Sequence, residues 1–190
     1  MTDVGALAVE ARFPISVDIY HRMIDGGLLA EGDRIELLEG VIVAMSPHSS
    51  EHARVVSALQ KIFRALGDEW AVRCQLPLTL ARSEPEPDLA VCPQPLEDAA
   101  ARHPTTASLV AEVARSSLEL DRAKASIYAE AGVIEYWLID VLAQRVEIFR
   151  DPDGARYRTA AVADLGETIA PVAVPTLVVE VARLFRASRR

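Results

Sequence analysis

Apolar positions along the chain change period several times, and each change marks an element. Val55, Val56, Leu59, Ile62, Phe63 and Leu66 recur at helical spacing, which predicts a core helix over Glu51–Leu66. The serines of Ser46–Ser50 would cap it and Gly67 would stop it. Three strands are then expected: Ala71–Leu80, where Val72, Cys74 and Leu76 alternate; Asp88–Cys92, short and apolar after Pro85 and Pro87; and Ser108–Ala114, apolar on both faces as a central strand should be. Ser116-Ser-Leu-Glu119 reads as a capping box opening a helix that runs to Ala131 and ends at Gly132. Glu135–Asp140 is the next strand, and a helical crossover would make it parallel to Ser108–Ala114.

Flanking elements complete the pattern. A short helix around Val17–Asp25 sits in an otherwise arm-like segment, and Arg34–Met45 reads as a hairpin turning at Glu39-Gly40. Gln144–Arg150 and Ala155–Val162 read as a hairpin around Asp151-Pro-Asp-Gly154. A last strand, Leu177–Val179, runs into a short basic helix. The expected class is α/β (α+β): an αβββαβ core with a mixed sheet, an N-terminal hairpin and a β-rich C-terminal tail. The 190 residues fit one domain, divided into an arm (1–30), the core (31–182) and a basic tail (183–190).

Composition changes this picture in three places. No apolar run approaches the ~18–20 residues that span a bilayer. Met1–Phe13 also lacks the basic start and apolar core of a signal peptide, so a cytoplasmic protein without membrane contact is expected. Cys74 and Cys92 lie in strand-like runs without close pairing, and His21, His48, His52 and His103 form no zinc motif in sequence. The net charge is −8, which opposes nucleic-acid binding unless charge is segregated. Acids gather in Glu31–Glu39, Glu84–Asp88 and Glu97–Asp98, and the tail from Arg183 to Arg190 is basic.

The informative anomaly is Glu112, a carboxylate inside the doubly apolar strand. Such a group is costly unless it is paired or metal-bound. It is either a metal ligand or half of a buried salt bridge, with Arg73 or Arg115 as partner. Asp88 opens the preceding strand; if the two strands are antiparallel neighbours, Asp88 and Glu112 point into one place. Alone, Asp88 also suits a turn in the proline-rich loop. Two converging carboxylates repel unless a cation lies between them, and Mg²⁺ or Mn²⁺ is the natural guest.

Pro87-Asp88, 23 further residues and then Glu112 resemble the PD-(D/E)XK pattern of restriction-endonuclease-like nucleases. Longer stretches carry a closer likeness: Arg34-Ile-Glu-Leu-Leu-Glu-Gly40, Met45-Ser-Pro-His48, Glu86-Pro-Asp-Leu-Ala-Val91, Glu112-Val-Ala-Arg-Ser-Ser-Leu-Glu-Leu-Asp121, and Lys124 through Glu135-Tyr-Trp-Leu-Ile-Asp140. Together they resemble the Uma-type restriction endonucleases of bacteria over roughly residues 15–182, most specifically in the segment ending at Glu135-Tyr-Trp137. The superfamily's lysine would stand at position 114, which is alanine here. The resemblance implies that its role has moved to Lys124, which shares a helix face with Asp121 and Tyr128. The plain alternative is a solvated lysine paired with Asp121 or Glu130.

Other candidates complete the site. Glu36 would join the metal shell, or be a solvent-facing strand acid. His52 would contact phosphate or metal-bound water, or be a core histidine bonded to backbone. Gln75 would orient water, or sit at a sheet edge. Tyr136 and Trp137 read as core. Arg115 and Arg122, with Arg73 and Arg82, would grip the substrate backbone. The expected activity is Mg²⁺- or Mn²⁺-dependent hydrolysis of phosphodiester bonds in nucleic acid, DNA foremost, with Asp88 and Glu112 holding the ion and Lys124 assisting. Two rivals stand beside it: an inactive nuclease fold that binds nucleic acid or a protein, and a metal-dependent hydrolase of a small phosphoester. Apolar strands such as Val172–Val179, outside the core order, suggest a homodimer.

Overall fold

Strand β5 (Leu109–Ala114) is buried at every position, and the rest of the chain is arranged to bury it. Antiparallel β4 (Leu89–Pro93) lies on one side, and parallel β6 (Glu135–Asp140) on the other. The parallel pairing follows from the helix α3 (Leu118–Glu130), which carries the chain back across the sheet. With β3 (Trp70–Arg73), β7 (Arg145–Pro152) and β8 (Tyr157–Ala163) the sheet has six strands in the order β3-β4-β5-β6-β7-β8. These relations come from a computed structural model that describes residues 13–30, 32–94 and 103–186. Residues 1–12 of the expected arm (1–30), the acids Glu31, Glu97 and Asp98, and tail residues 187–190 lie outside the described residues.

Alternation along β5 divides its side chains between two layers. Leu109, Ala111 and Val113 face the helix α2 (Ser50–Phe63) and pack with Val55, Val56, Leu59 and Phe63. Val110 and Ala114 face α3 and pack with Ile127, Tyr128, Tyr136 and Leu138. Glu112 therefore falls on the α3 face. The order α2, β3, β4, β5, α3, β6 is the expected αβββαβ core with its mixed sheet.

A hairpin of β1 (Ile35–Leu38) and β2 (Val41–Ala44) lies over the α3 side, bridged to the following loop through Leu37 and Glu84. Its turn takes positive φ at Glu39 and Gly40, 48° and 78°. A Cβ on Gly40 would stand 2.7 Å from the Pro14 side chain, so only glycine allows the N-terminal segment to pass. That segment is no loose arm. The helix α1 (Val17–Asp25) is capped by Ser16 and buries Val17 and Tyr20 beside Leu37.

Three local expectations differ from the structure. The strand expected over Ala71–Leu80 stops at Arg73, because Gln75 adopts φ 51° and Pro77 follows. Ser117 makes no side-chain cap; its hydroxyl donates to Asp121 Oδ2 at 2.5 Å instead. The run Val172–Val179 is mostly turns. Strand β10 (Val179–Glu180) pairs with β9 (Thr168–Ile169) and leads into α4 (Val181–Phe185). Val179 is buried in the α2-side core with Val181 and Leu184, and Leu177 packs against it, while Val172 and Val178 are exposed. Among the described residues no helix is long and apolar enough to cross a membrane, and both cysteines are free thiols.

Candidate active site

The register of β4 against β5 continues one residue beyond Leu89 and Ala111, bringing Asp88 opposite Glu112. The two are joined through the backbone. The Asp88 N–H donates to Glu112 Oε2 at 3.3 Å, and the Val113 N–H donates to Asp88 Oδ2 at 2.9 Å. They are 6% and 4% exposed, and both line one cleft of about 100 Å³ at this end of the sheet. The N-terminal turns of α2 and α3, the β1–β2 hairpin and the loop before β4 close around it, adding Glu36, His48, His52, Glu86, Arg115, Asp121 and Lys124.

Lys124 is the partner of Glu112, in place of Arg73 or Arg115. Its Nζ lies 3.1 Å from Glu112 Oε1, 2.9 Å from Glu36 Oε1 and 3.6 Å from Asp121 Oδ1. At 4% exposure it is no solvated surface lysine; Glu130, its other expected partner, pairs with Arg82. The Tyr128 hydroxyl donates to the same Glu112 oxygen at 2.7 Å. Burial pushes the Glu112 carboxyl up to about 8, Lys124 opposes this, and Asp121, Asp88 and Glu36 reinforce it. Burial alone would lower Lys124, but Glu112, Glu36 and Asp121 together hold its ammonium above the ordinary lysine value. Burial also raises Asp121, against the pull of Lys124. Five carboxylates (Glu36, Glu86, Asp88, Glu112 and Asp121) face Lys124 and Arg115 across the cleft. This surplus of negative charge, built from oxygen donors, fits a divalent cation.

A second set of contacts surrounds Asp88 from the α2 side. His52 Nε2 lies 3.0 Å from Asp88 Oδ2, and the Gln75 amide donates to Asp88 Oδ1 at 3.4 Å. The His48 ring stacks on His52 with centroids 4.2 Å apart. Among the described residues, His48, His52 and Asp88 form the one group of three histidines, cysteines or acids whose ligand atoms lie within 4.8 Å of one another. The histidines that form no zinc motif in sequence are thus partly gathered in space. Glu36 is not in that group; its oxygens turn to Lys124 and to the Glu86 N–H at 3.4 Å. Arg115 lines the cleft, half-exposed and 3.6 Å from Glu51. Arg122 does not; it forks onto Glu147 at 3.1 and 2.6 Å and also holds Glu119.

Residues 17–182 match the Uma2 family, described as putative restriction endonuclease. The chain belongs to that family. A crystal structure described as a putative nuclease belonging to DUF820, from Anabaena variabilis, superposes with a TM-score of 0.72 over 90% of this chain and 98% of that one, at 20% identity. At that identity the likeness carries the fold, and it agrees with the mixed-sheet nuclease core. No protein with a curated description matches the chain.

Within this Uma2 chain, sequence reasoning overlooked His48 as part of the cleft, and placed Asp121 and Tyr128 on the helix face of Lys124 without giving either a role in the site. Two signals were present. His48 and His52 are four residues apart at a helix start, and Asp121, Lys124 and Tyr128 share a helical face. A third lay in the composition: Lys61 and Lys124 are the chain's two lysines against eighteen arginines. A lysine retained where arginine is the rule suits a compact ammonium with three donors, which a planar guanidinium does not replace.

Proposed function

We propose that this Uma2-family protein is a metal-dependent endonuclease that hydrolyses phosphodiester bonds in nucleic acid, with DNA as the principal substrate. The observation carrying this reading is the pairing of Asp88 with Glu112 at the end of β4 and β5, in a cleft with surplus negative charge. Asp88 and Glu112 are the residues that would hold Mg²⁺ or Mn²⁺. When bound, that ion polarises the scissile phosphate and lowers the pKa of water. Glu36 and Asp121 keep the Lys124 ammonium beside Glu112, where its hydrogens meet negative charge developing on the phosphate. Tyr128 holds the Glu112 carboxylate in orientation, and His52 does the same for Asp88. Arg115 stands at the cleft wall as a partner for an adjoining backbone phosphate.

Cleft size favours a polymer over a small phosphoester. Sites that bury a small molecule run to roughly 300–1,000 Å³. About 100 Å³ admits a phosphate group with a few waters, leaving sugar and base outside. The rival reading, a non-catalytic nucleic-acid or protein binder, draws on Ala114 at the usual lysine position and on the net charge of −8.

A cleavage panel of plasmid, single-stranded DNA and RNA with Mg²⁺ or Mn²⁺ separates these readings. Wild type should nick or cut plasmid DNA, and Asp88→Ala and Glu112→Ala should each lower the rate by about 10²-fold or more. Undiminished cleavage in both variants refutes the proposed site. Wild type without cleavage on any polymer, but with retained binding, establishes the non-catalytic reading.

A further inference from the structure

We infer that His48, His52 and Asp88 form a second cation site, selective for a borderline transition-metal ion such as Co²⁺ or Zn²⁺, beside the all-oxygen site of Glu112. Its catalytic use rests on the proposed nuclease reading; its existence does not. The local sequence builds it. The Ser49 side chain caps α2 by accepting from the His52 N–H at 3.1 Å, which fixes the first turn. His52 is then the third helical residue, and His48, one residue before the cap, folds back over it with its ring 20° from parallel. The backbone bond from Val113 and the opposing register hold Asp88 beneath them.

Two observations point to a cation. First, one ligand atom from each residue lies within 4.8 Å of the other two. Metal bonds of about 2.0–2.3 Å place ligands of one ion up to roughly 4–4.6 Å apart, close to the separation found here. Second, the Gln75 amide nitrogen lies 3.2 Å from His48 Nδ1 and 3.4 Å from Asp88 Oδ1. An N–H dipole pointing its positive end between those two atoms occupies the position a cation would take.

The ring nitrogens of His48 lie 2.7 Å from Arg34 Nη2 and 3.2 Å from Gln75 Nε2, and a neutral ring accepts at one of them. Burial, His52 and Arg34 lower the His48 pKa, and Asp88 opposes them. Two imidazoles and a carboxylate select borderline ions, whereas Mg²⁺ prefers oxygen and keeps its waters. Asp88, with two oxygens, adjoins both sites. Near-parallel rings do not aim their in-plane lone pairs at one point, so loading turns His48 out of the stack and displaces the Gln75 amide. Both side chains are exposed, and this movement disturbs no core contact.

Cobalt titration of the full chain, followed by the visible d–d bands that nitrogen ligation intensifies, tests the inference without reading cleavage. His48→Ala should weaken Co²⁺ binding by about tenfold or more while leaving Mg²⁺ affinity, measured calorimetrically, within about twofold. Glu112→Gln should do the reverse. Circular dichroism checks that each variant is folded, and His48, being exposed, is the safer substitution. A cobalt spectrum unaffected by His48→Ala overturns the second site. So does a loss of both ions in parallel in the two variants, which would describe one carboxylate site. A chain that cuts no polymer yet binds Co²⁺ through His48 keeps this site and loses the nuclease reading; a chain that cuts DNA with Mg²⁺ but binds Co²⁺ independently of His48 does the opposite.

Discussion

The Glu112 carboxylate is held by three donors, Lys124 Nζ, the Tyr128 hydroxyl and the Asp88 N–H, in a place that water scarcely reaches. Its anomaly was legible because an acid interrupts an apolar strand, and that needs no fold to be noticed. The identity of its partner was not legible, since Lys124 is twelve residues away across a helix start and either of two arginines suited equally. Glu36 shows the same limit. It reads as a strand acid, and only the hairpin's position over α3 brings it to Lys124. Glu112 also makes a pH prediction. Its folded pKa, about 8, lies above the ordinary 4.5, so the folded state binds this proton more tightly than the unfolded chain does. The stability this contributes is complete below pH 4.5 and is lost as pH rises through 8. In divalent-free buffer, urea midpoints of wild type should therefore fall across that window, and Glu112→Gln should flatten the decline. Parallel profiles for the two proteins would show that Glu112 stays ionised throughout.

Strand β6 carries the segment most specific to the family resemblance, and its chemistry turns out to be architectural. Glu135 is fully buried, and its carboxylate accepts from Trp137 Nε1 at 2.7 Å, Arg150 Nε at 2.8 Å and the Val172 N–H at 2.6 Å. One side chain thus ties β6 to β7 and anchors the tail that leaves the sheet. Glu135→Ala strands the buried Trp137 N–H, at about 1–3 kcal/mol, and frees the part-buried Arg150 and Val172 donors, so a loss of roughly 2 kcal/mol or more is expected in urea unfolding. Glu135→Gln, which keeps an accepting oxygen, should lose less. Equal loss in both would place the requirement on charge rather than on acceptance. The start of α3 teaches a related lesson. Ser116-Ser-Leu-Glu119 has the letters of a capping box with Ser116 as its cap, but the helix starts one residue later, after Ser117, whose hydroxyl goes to the buried Asp121 carboxylate. Elements defined by periodicity, such as α2 and β5, were readable; their ends depend on competing partners and were not.

Across the whole molecule, the C-terminal residues complete the layer over the α2 face of the sheet. Val179, Val181 and Leu184 are almost wholly buried there, each contributing about 1.5–3 kcal/mol by area removed from water. Together they approach the total stability of an ordinary domain, about 5–15 kcal/mol. A chain truncated after Val178 should lose its cooperative thermal transition in calorimetry; an unchanged transition would mean that α4 is dispensable. The order of helices and strands, the crossover that makes β5 and β6 parallel, and the odd carboxylate in the central strand were all determined by sequence, because periodicity and burial cost act locally along the chain. Tertiary structure alone decided which charges meet. The five acids, Lys124 and two histidines of the cleft come from five separate segments, and their contacts depend on the register of β4 on β5 and on the seating of the hairpin and both helices. Those relations are settled by packing between distant parts of the chain, which no single stretch of residues encodes.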